Sequence, residues 1–128
     1  MAMQHPDQVW FDGKLVPWDQ ATVHVASHAL HYGSSVFEGI RAYGLPEGPA
    51  VFCLEEHLDR MWDSCKVVRM EIPFSRDEIR QAIVDTIRAN GHRSCYIRPI
   101  VFRGWGSIAV DPRPCPVHTS IITLEMGK

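Results

Sequence analysis

Residues 24–43 read HVASHALHYGSSVFEGIRAY and carry the clearest structural signals in the chain. The stretch from His28 to Gly33 is typical of a helical turn that a glycine ends. Residues 36–43 are rich in β formers and have an alternating pattern, which indicates a strand. This segment therefore joins a short helix to a strand, and the elements on either side of it complete the fold.

The elements that flank this segment are short strands. Residues 9–11 predict a strand, the Asp12-Gly13 pair is a strong two-residue hairpin turn, and residues 15–18 continue from it. On the other side, the proline and glycine content of residues 45–49 indicates a loop, and residues 50–54 indicate a short apolar strand.

Two helices and two further strands follow. The first helix has one apolar face, made of Leu54, Leu58, Met61, Cys65 and Val68. The second begins with the capping box of Ser75 and Glu78 and ends at Gly91; its predicted buried stripe is Ile79, Ala82, Ile83, Thr86 and Ile87. Residues 95–103 and 117–124 predict the last strands. This order predicts an α+β fold with two helices packed on one face of a sheet.

Composition narrows the class of protein. A chain of 128 residues predicts one domain, and its net charge of −2 gives no electrostatic reason to expect nucleic acid. Neither a membrane-spanning stretch nor a signal peptide is expected. The four cysteines have no Cys-x-x-Cys spacing, and Cys53, Cys65 and Cys95 fall in apolar segments as small core residues. Two disulfides are the alternative, but reduced thiols in a cytoplasmic protein are the expectation.

Two strands place arginine among apolar residues. Alternation puts one set of side chains on a single face: Phe37, Gly39, Arg41 and Tyr43. An aromatic ring, a bare backbone and a guanidinium together indicate a pocket wall for a ligand that is partly polar and partly apolar. The alternative is an edge strand with an exposed arginine and a glycine bulge.

The second such strand contains Tyr96, Arg98, Ile100 and Phe102 on one face. A mid-strand arginine between apolar neighbours costs desolvation free energy unless it meets an anion, and the Tyr96 hydroxyl could contact the same carboxylate. The alternative is a structural ion pair between Arg98 and a core acid, with Glu38 or Glu71 as the partner.

The segment 24–43 resembles the signature of branched-chain amino acid aminotransferases. Supporting motifs occur in the family's order at residues 9–13 (VWFDG), 56–61 (EHLDRM) and 95–99 (CYIRP). The resemblance covers residues 8–125. It implies the small domain of the class IV pyridoxal-phosphate fold, with a mostly antiparallel sheet, over residues 1–125. Residues 126–128 would then begin an interdomain loop.

The resemblance also implies roles for individual residues. Arg60 matches the arginine that contacts the phosphate of pyridoxal 5'-phosphate, and a guanidinium fork suits phosphate oxygens. The remaining positions match substrate-binding residues: Phe37 and Gly39 in the side-chain pocket wall, Tyr96 near the substrate carboxylate, Arg41 and Arg98 at the distal carboxylate of glutamate, and Tyr32 and Val110 in the neighbouring subunit's pocket.

The implied reaction is amino transfer between leucine, isoleucine or valine and 2-oxoglutarate, in a cytoplasmic homodimer or higher homo-oligomer of branched-chain amino acid biosynthesis. The cofactor-binding lysine of the family matches none of Lys14, Lys66 and Lys128. We therefore expect no catalytic residue in this chain, no activity from these 128 residues alone, and a second domain that carries the lysine.

Alternative functions remain open at this point. A related class IV enzyme, such as an R-selective amine transaminase, fits most of the motifs, and residues 105–115 depart from the family pattern in a loop that bears on substrate choice. A non-catalytic dimerisation or binding module is a second alternative. The helical spacing of His24, His28 and His31 suggests a metal site as a third, but no acidic residue lies among them and no metal is expected.

Overall fold

The computed structural model describes residues 3–126, and in that range the chain forms seven strands and three α-helices. The strands are β1 (Gln8–Phe11), β2 (Lys14–Pro17), β3 (Ser35–Phe37), β4 (Ile40–Leu45), β5 (Gly48–Val51), β6 (Cys95–Arg103) and β7 (Val117–Glu125). The helices are α1 (His28–Tyr32), α2 (Leu54–Val67) and α3 (Arg76–Ala89), and a 3₁₀ turn covers Trp18–Gln20. No helix in residues 3–126 is long and apolar enough to cross a membrane.

All seven strands belong to one antiparallel sheet. The strand order is β2-β1-β7-β6-β4-β5, and β3 also pairs with β6. The hairpin of β1 and β2 turns at Asp12 and Gly13, whose φ angles of 48° and 105° are the positive values that such a tight turn requires. The predicted α+β class and the mostly antiparallel sheet are confirmed.

The strand predicted over residues 36–43 is interrupted at Glu38 and Gly39. Both halves nevertheless keep one register against β6, because Phe37 pairs with Ile100 and Ile40 pairs with Ile97. The Glu38 N–H donates to the Pro99 carbonyl at 3.1 Å, but Pro99 has no N–H with which to return a bond. The interruption is therefore a gap in the hydrogen-bond ladder between this segment and β6. The register does not change across the gap, so side chains keep alternating between the two faces of the sheet.

The core lies between the sheet and the helices α2 and α3. The whole predicted stripe of α3 is buried, and the capping box of Ser75 and Glu78 is present. From α2, Leu58, Met61 and Cys65 are buried against the same core. Burying a side chain of the size of leucine or isoleucine stabilises a fold by about 1.5–3 kcal/mol, so these two stripes fix both helices on one face of the sheet.

Some predicted boundaries are wrong. β4 runs on to Leu45, which pairs with Gly48, so the loop predicted over 45–49 shrinks to a tight turn. The strand predicted over 50–54 instead spans Gly48–Val51, because Cys53 adopts a left-handed φ of 53° and begins α2. Trp18 belongs to the 3₁₀ turn that follows Pro17, and Val68 lies past the last helical residue, where it is exposed.

All four cysteines are free thiols. Cys65 and Cys95 lie in the core as predicted, and burial raises the pKa of Cys65 to about 11. Burial, with a smaller effect from the charge of Glu125, raises the pKa of Cys95 to about 12. Cys115 is also buried. Cys53, the residue that precedes α2, is exposed, so its predicted core position is wrong.

Candidate functional site

Five of the eight predicted site residues lie together on the sheet face opposite α2 and α3, which we call the open face. Phe37 and Arg41 come from β3 and β4, Tyr96 and Arg98 from β6, and Gly39 from the gap between β3 and β4. The shared register places Arg41 opposite Tyr96 and therefore Gly39 opposite Arg98. The predicted alternation of these side chains is confirmed.

Arg98 is held against two aromatic side chains of the open face. Its Nε and Nη2 donate to the Tyr96 hydroxyl oxygen at 3.2 and 2.8 Å. Its guanidinium carbon lies 4.3 Å from the centre of the Phe37 ring, a cation–π contact worth about 0.5–1 kcal/mol at an exposed site. Because the Tyr96 oxygen accepts from Arg98, its own O–H proton is left to donate outward to an anion.

Gly39 makes room for this arrangement. A Cβ added at Gly39 would lie 2.7 Å from the Tyr96 hydroxyl oxygen, well inside van der Waals contact. Any other residue here would push the Tyr96 ring aside and disturb the hydrogen bonds from Arg98. The absence of a side chain at Gly39 thus serves the close approach of Tyr96.

The two arginines of the open face form no ion pair with any carboxylate in residues 3–126. The alternative pairing of Arg98 with Glu38 is wrong, because Glu38 has its side chain on the helix side of the sheet, where it pairs with α2. Glu71 is exposed and makes no ion pair with Arg98. The edge-strand alternative is wrong for β4, which pairs on both sides, although Arg41 is exposed as that alternative expected and β3 pairs only with β6 among the described strands. Arg41 and Arg98 are therefore free to receive an anion.

Apolar surface adjoins these arginines. A cavity of about 590 Å³ opens between α1, the 3₁₀ turn and the strands β1, β6 and β7. Its lining includes Val9, Phe11, Leu30, Ile100, Phe102 and Ile122. Ile122 is the β7 residue directly opposite Arg98. The open face thus combines positive charge with an apolar neighbourhood.

The buried carboxylate of Glu38 contacts two residues of α2. Arg60 donates through Nε to both carboxylate oxygens at 3.0 and 2.9 Å, and through Nη2 to Oε1 at 2.9 Å. His57 Nδ1 lies 2.8 Å from the same Oε1. The Glu38 side chain is 4% exposed and that of Arg60 is 66% exposed. We call these three residues the Glu38 cluster.

The charges of the Glu38 cluster favour the ionised carboxylate. Burial by itself would raise the pKa of Glu38, but the hydrogen bonds and charges of Arg60 and His57 outweigh it and hold that pKa below 4.5. The hydrogen bonds and charge of Glu38 in turn raise the pKa of Arg60. Arg60 is thus a fixed cation, and its Nη1 makes no hydrogen bond within residues 3–126.

Tyr32 and Val110 lie in a second cluster, apart from the contacts of the open face. The Tyr32 hydroxyl donates to the Ile108 carbonyl at 2.6 Å, and Val110 is 75% exposed. Buried His28 fixes this loop to α1, because its Nε2 lies 3.1 and 3.2 Å from the Ala109 and Val110 carbonyls. Since carbonyls only accept, Nε2 is the donor to them, and Nδ1 on the other side of the ring lies 2.7 Å from the Ser34 hydroxyl oxygen.

The three histidines do not gather as metal ligands. No group of three potential ligands forms among the described residues. His24 Nδ1 accepts from the Ala26 N–H, and His31 Nε2 donates to the Val25 carbonyl. Together with His28, these imidazoles bond to the local backbone, which is a structural use of all three.

The fold is that of an aminotransferase domain. Residues 35–127 match the family described as Amino-transferase class IV. The chain belongs to this family.

Two relatives, one of them with two crystal structures, are branched-chain amino acid aminotransferases. The chain is 46% identical over 128 residues to the branched-chain-amino-acid aminotransferase of Pseudomonas aeruginosa, covering 99% of this chain and 42% of that protein. A crystal structure of the T.th. branched-chain amino acid aminotransferase with N-(5'-phosphopyridoxyl)-L-glutamate is 46% identical, with a TM-score of 0.94, and covers 98% and 42% of the two chains. The same enzyme with 4-methylvaleric acid is 45% identical, with a TM-score of 0.93 and the same coverage. The chain therefore spans about 42% of the length of these relatives.

The sequence interpretation missed the Glu38 cluster and the role of His28. A signal for Glu38 was present, because alternation puts it on the same side as Ile40 and Ala42, away from Arg98. His57 and Arg60 are three residues apart, so they share one face of α2 and can meet one carboxylate. No pattern in the sequence indicates that residues 109 and 110 fold back onto His28.

Proposed function

We propose that this domain belongs to a pyridoxal-phosphate-dependent branched-chain amino acid aminotransferase and forms part of its substrate pocket. The observation that carries the proposal is the open face, where two arginines without carboxylate partners in residues 3–126 lie beside Phe37 and apolar residues. The named relatives, at 45–46% identity over 98–99% of the chain, support the same activity. The T.th. enzyme binds a glutamate adduct and an aliphatic acid, which are the two kinds of substrate that one pocket must accept.

The open face suits both kinds of substrate. Phe37 and the adjoining apolar surface would contact the aliphatic side chain of leucine, isoleucine or valine. Arg98 and Arg41 would receive the distal carboxylate of glutamate or 2-oxoglutarate, and the outward Tyr96 O–H would add a hydrogen bond to a substrate carboxylate. Because both arginines are solvated at the edge of the apolar surface, an aliphatic substrate can bind without burying a bare charge.

Arg60 is the residue of this chain that fits the cofactor. Its side chain is fixed by Glu38, its Nη1 has no partner within residues 3–126, and a guanidinium suits phosphate oxygens. Bound pyridoxal phosphate supplies an electron sink for the electron pair that remains when the substrate Cα–H bond breaks. This chain's contribution is to anchor the phosphate and to orient the substrate.

An exposed apolar patch around Tyr32 and Val110 supports a homo-oligomer. Large exposed apolar side chains gather on α1 and the loop that His28 holds, namely Leu30, Tyr32, Trp105, Ile108 and Val110. Exposed apolar patches of this kind mark interaction surfaces. We infer that a second copy of the chain covers this patch and that Tyr32 and Val110 reach its substrate pocket, in a cytoplasmic enzyme whose thiols stay reduced.

A chimera tests the proposed activity. Residues 1–128 replace the matching part of the P. aeruginosa relative, and amino transfer from leucine, isoleucine and valine to 2-oxoglutarate is measured beside that from (R)-1-phenylethylamine. We expect the branched-chain substrates to react with at least about a hundredfold higher kcat/KM, a difference of roughly 2.7 kcal/mol. A folded, cofactor-bound chimera that prefers the amine would replace this proposal with an R-selective amine transaminase.

A further inference from the structure

The Glu38 cluster connects the pocket wall to the helix that carries the phosphate anchor. Glu38 is the residue between Phe37 and Gly39, and its side chain crosses to the helix side of the sheet. There it receives three hydrogen bonds from Arg60 and one from His57. The Glu38 side chain therefore links the backbone of the pocket wall directly to Arg60.

The geometry of the Arg60 fork leaves one edge for an anion. Glu38 engages the Nε and Nη2 edge, and a planar guanidinium held along one edge cannot rotate freely. Its Nη1 belongs to another edge, and the side chain is 66% exposed. A long arginine side chain without such a partner would lose several rotamers when it bound a phosphate. The ion pair has removed that freedom in advance.

The charges of the Glu38 cluster are compatible with anion binding at the free edge of Arg60. Glu38 and Arg60 cancel in formal charge, so the fork acts through directed N–H donors more than through net charge. His57 provides a second donor to Oε1 and keeps the carboxylate oriented from the same helix. A loose carboxylate beside an anion site would repel the anion, whereas this carboxylate is 4% exposed and shielded by both donors.

From these contacts we infer that Glu38 is a positioning residue, which holds the Arg60 guanidinium in place for the phosphate of the cofactor. The inference rests on the proposed function, in which Arg60 contacts that phosphate. Glu38 itself touches neither cofactor nor substrate; it acts through Arg60.

Binding of a phosphorylated and an unphosphorylated ligand separates positioning from general stability. The chimera freed of cofactor is titrated with pyridoxamine 5'-phosphate and with pyridoxamine. The Kd for pyridoxamine divided by the Kd for pyridoxamine 5'-phosphate measures how much the phosphate contributes to affinity. Glu38→Gln keeps the size of the side chain and removes its charge. We expect this ratio to fall about three- to tenfold, the cost of ordering one free side chain. Glu56→Gln, an exposed neighbour on α2, should leave it unchanged.

A double-variant comparison assigns the effect to Arg60. Arg60→Ala should reduce the ratio further than Glu38→Gln does, and adding Glu38→Gln to Arg60→Ala should change nothing more. Equal weakening of both ligands by Glu38→Gln, or a higher ratio, would overturn the positioning role. If Arg60→Ala leaves the ratio unchanged, the phosphate contact in the proposed function is itself wrong. Melting temperatures of every variant exclude loss of folding as the cause.

Discussion

Under the proposed function, replacement of Arg98 by glutamine should damage mainly the glutamate half of the amino transfer. In the chimera, Arg98→Gln removes the guanidinium that lies over Phe37 and donates to Tyr96. A hydrogen bond to a charged group is worth about 1.5–3 kcal/mol, so single-turnover kcat/KM for glutamate and 2-oxoglutarate should fall roughly ten- to 150-fold. Leucine and its keto acid should lose less than about threefold, because an aliphatic side chain makes no use of the guanidinium.

Stability provides the check on this reasoning. Arg98 is exposed and forms no ion pair within residues 3–126, so its loss should lower the free energy of unfolding by no more than about 1 kcal/mol, the value of its cation–π contact with Phe37. Arg88→Gln, on the exposed side of α3, is the matched control and should leave both half-reactions intact. Equal losses for leucine and glutamate, accompanied by a lower melting temperature, would refute carboxylate recognition and make Arg98 a structural residue.

Three further outcomes follow from the packing and the charges. Gly39→Ala should weaken glutamate binding at least about tenfold, because the added methyl group displaces the Tyr96 hydroxyl. The double variant Gly39→Ala, Tyr96→Phe should bind glutamate no more weakly than Gly39→Ala alone. Kd values that show the two substitutions acting additively would contradict this. Because the pKa of Glu38 is lowered in the folded protein, its ionisation stabilises the fold above pH 4.5, and this stabilisation is lost as the pH falls through the pKa of the folded state. In urea unfolding, Glu38→Gln should therefore be less stable than the unaltered protein at pH 7, and the two should converge below pH 4.5. A constant difference down to about pH 2 would exclude an ionised Glu38 as the cause. Ile83→Ala should cost about 2–5 kcal/mol in the same assay because the side chain is fully buried, and a cost under about 1 kcal/mol would show that α3 is not packed as described.

The periodic parts of the fold could be predicted from the sequence, because they depend on local spacing. The stripe of α3, its capping box and the face shared by Phe37, Gly39 and Arg41 follow from periods of about 3.6 and 2 residues. The ends of elements could not be predicted as well. Whether β5 starts at Gly48 or two residues later depends on its pairing with Leu45, which no local pattern encodes.

In the candidate site, too, the part that depends on local spacing could be predicted and the part that depends on tertiary packing could not. The open face could be predicted because alternation and motif resemblance agree on Tyr96 and Arg98. The Glu38 cluster brings together residues 19 and 22 positions apart from a strand gap and a helix, and the contact depends on how α2 crosses the sheet. Sequence spacing shows that His57 and Arg60 share a helix face, but it does not show what that face meets.

The uneven exposure of the thiols makes the chain suitable for selective chemical labelling. Three of the four cysteines are buried, and two of those have a raised pKa, so they offer little thiolate to an alkylating reagent. Cys53 is accessible and stands at the start of α2, two turns before Arg60. A maleimide fluorophore would therefore attach at one position, on the helix that carries the proposed phosphate anchor. Its emission would report movement of that helix as ligand binds.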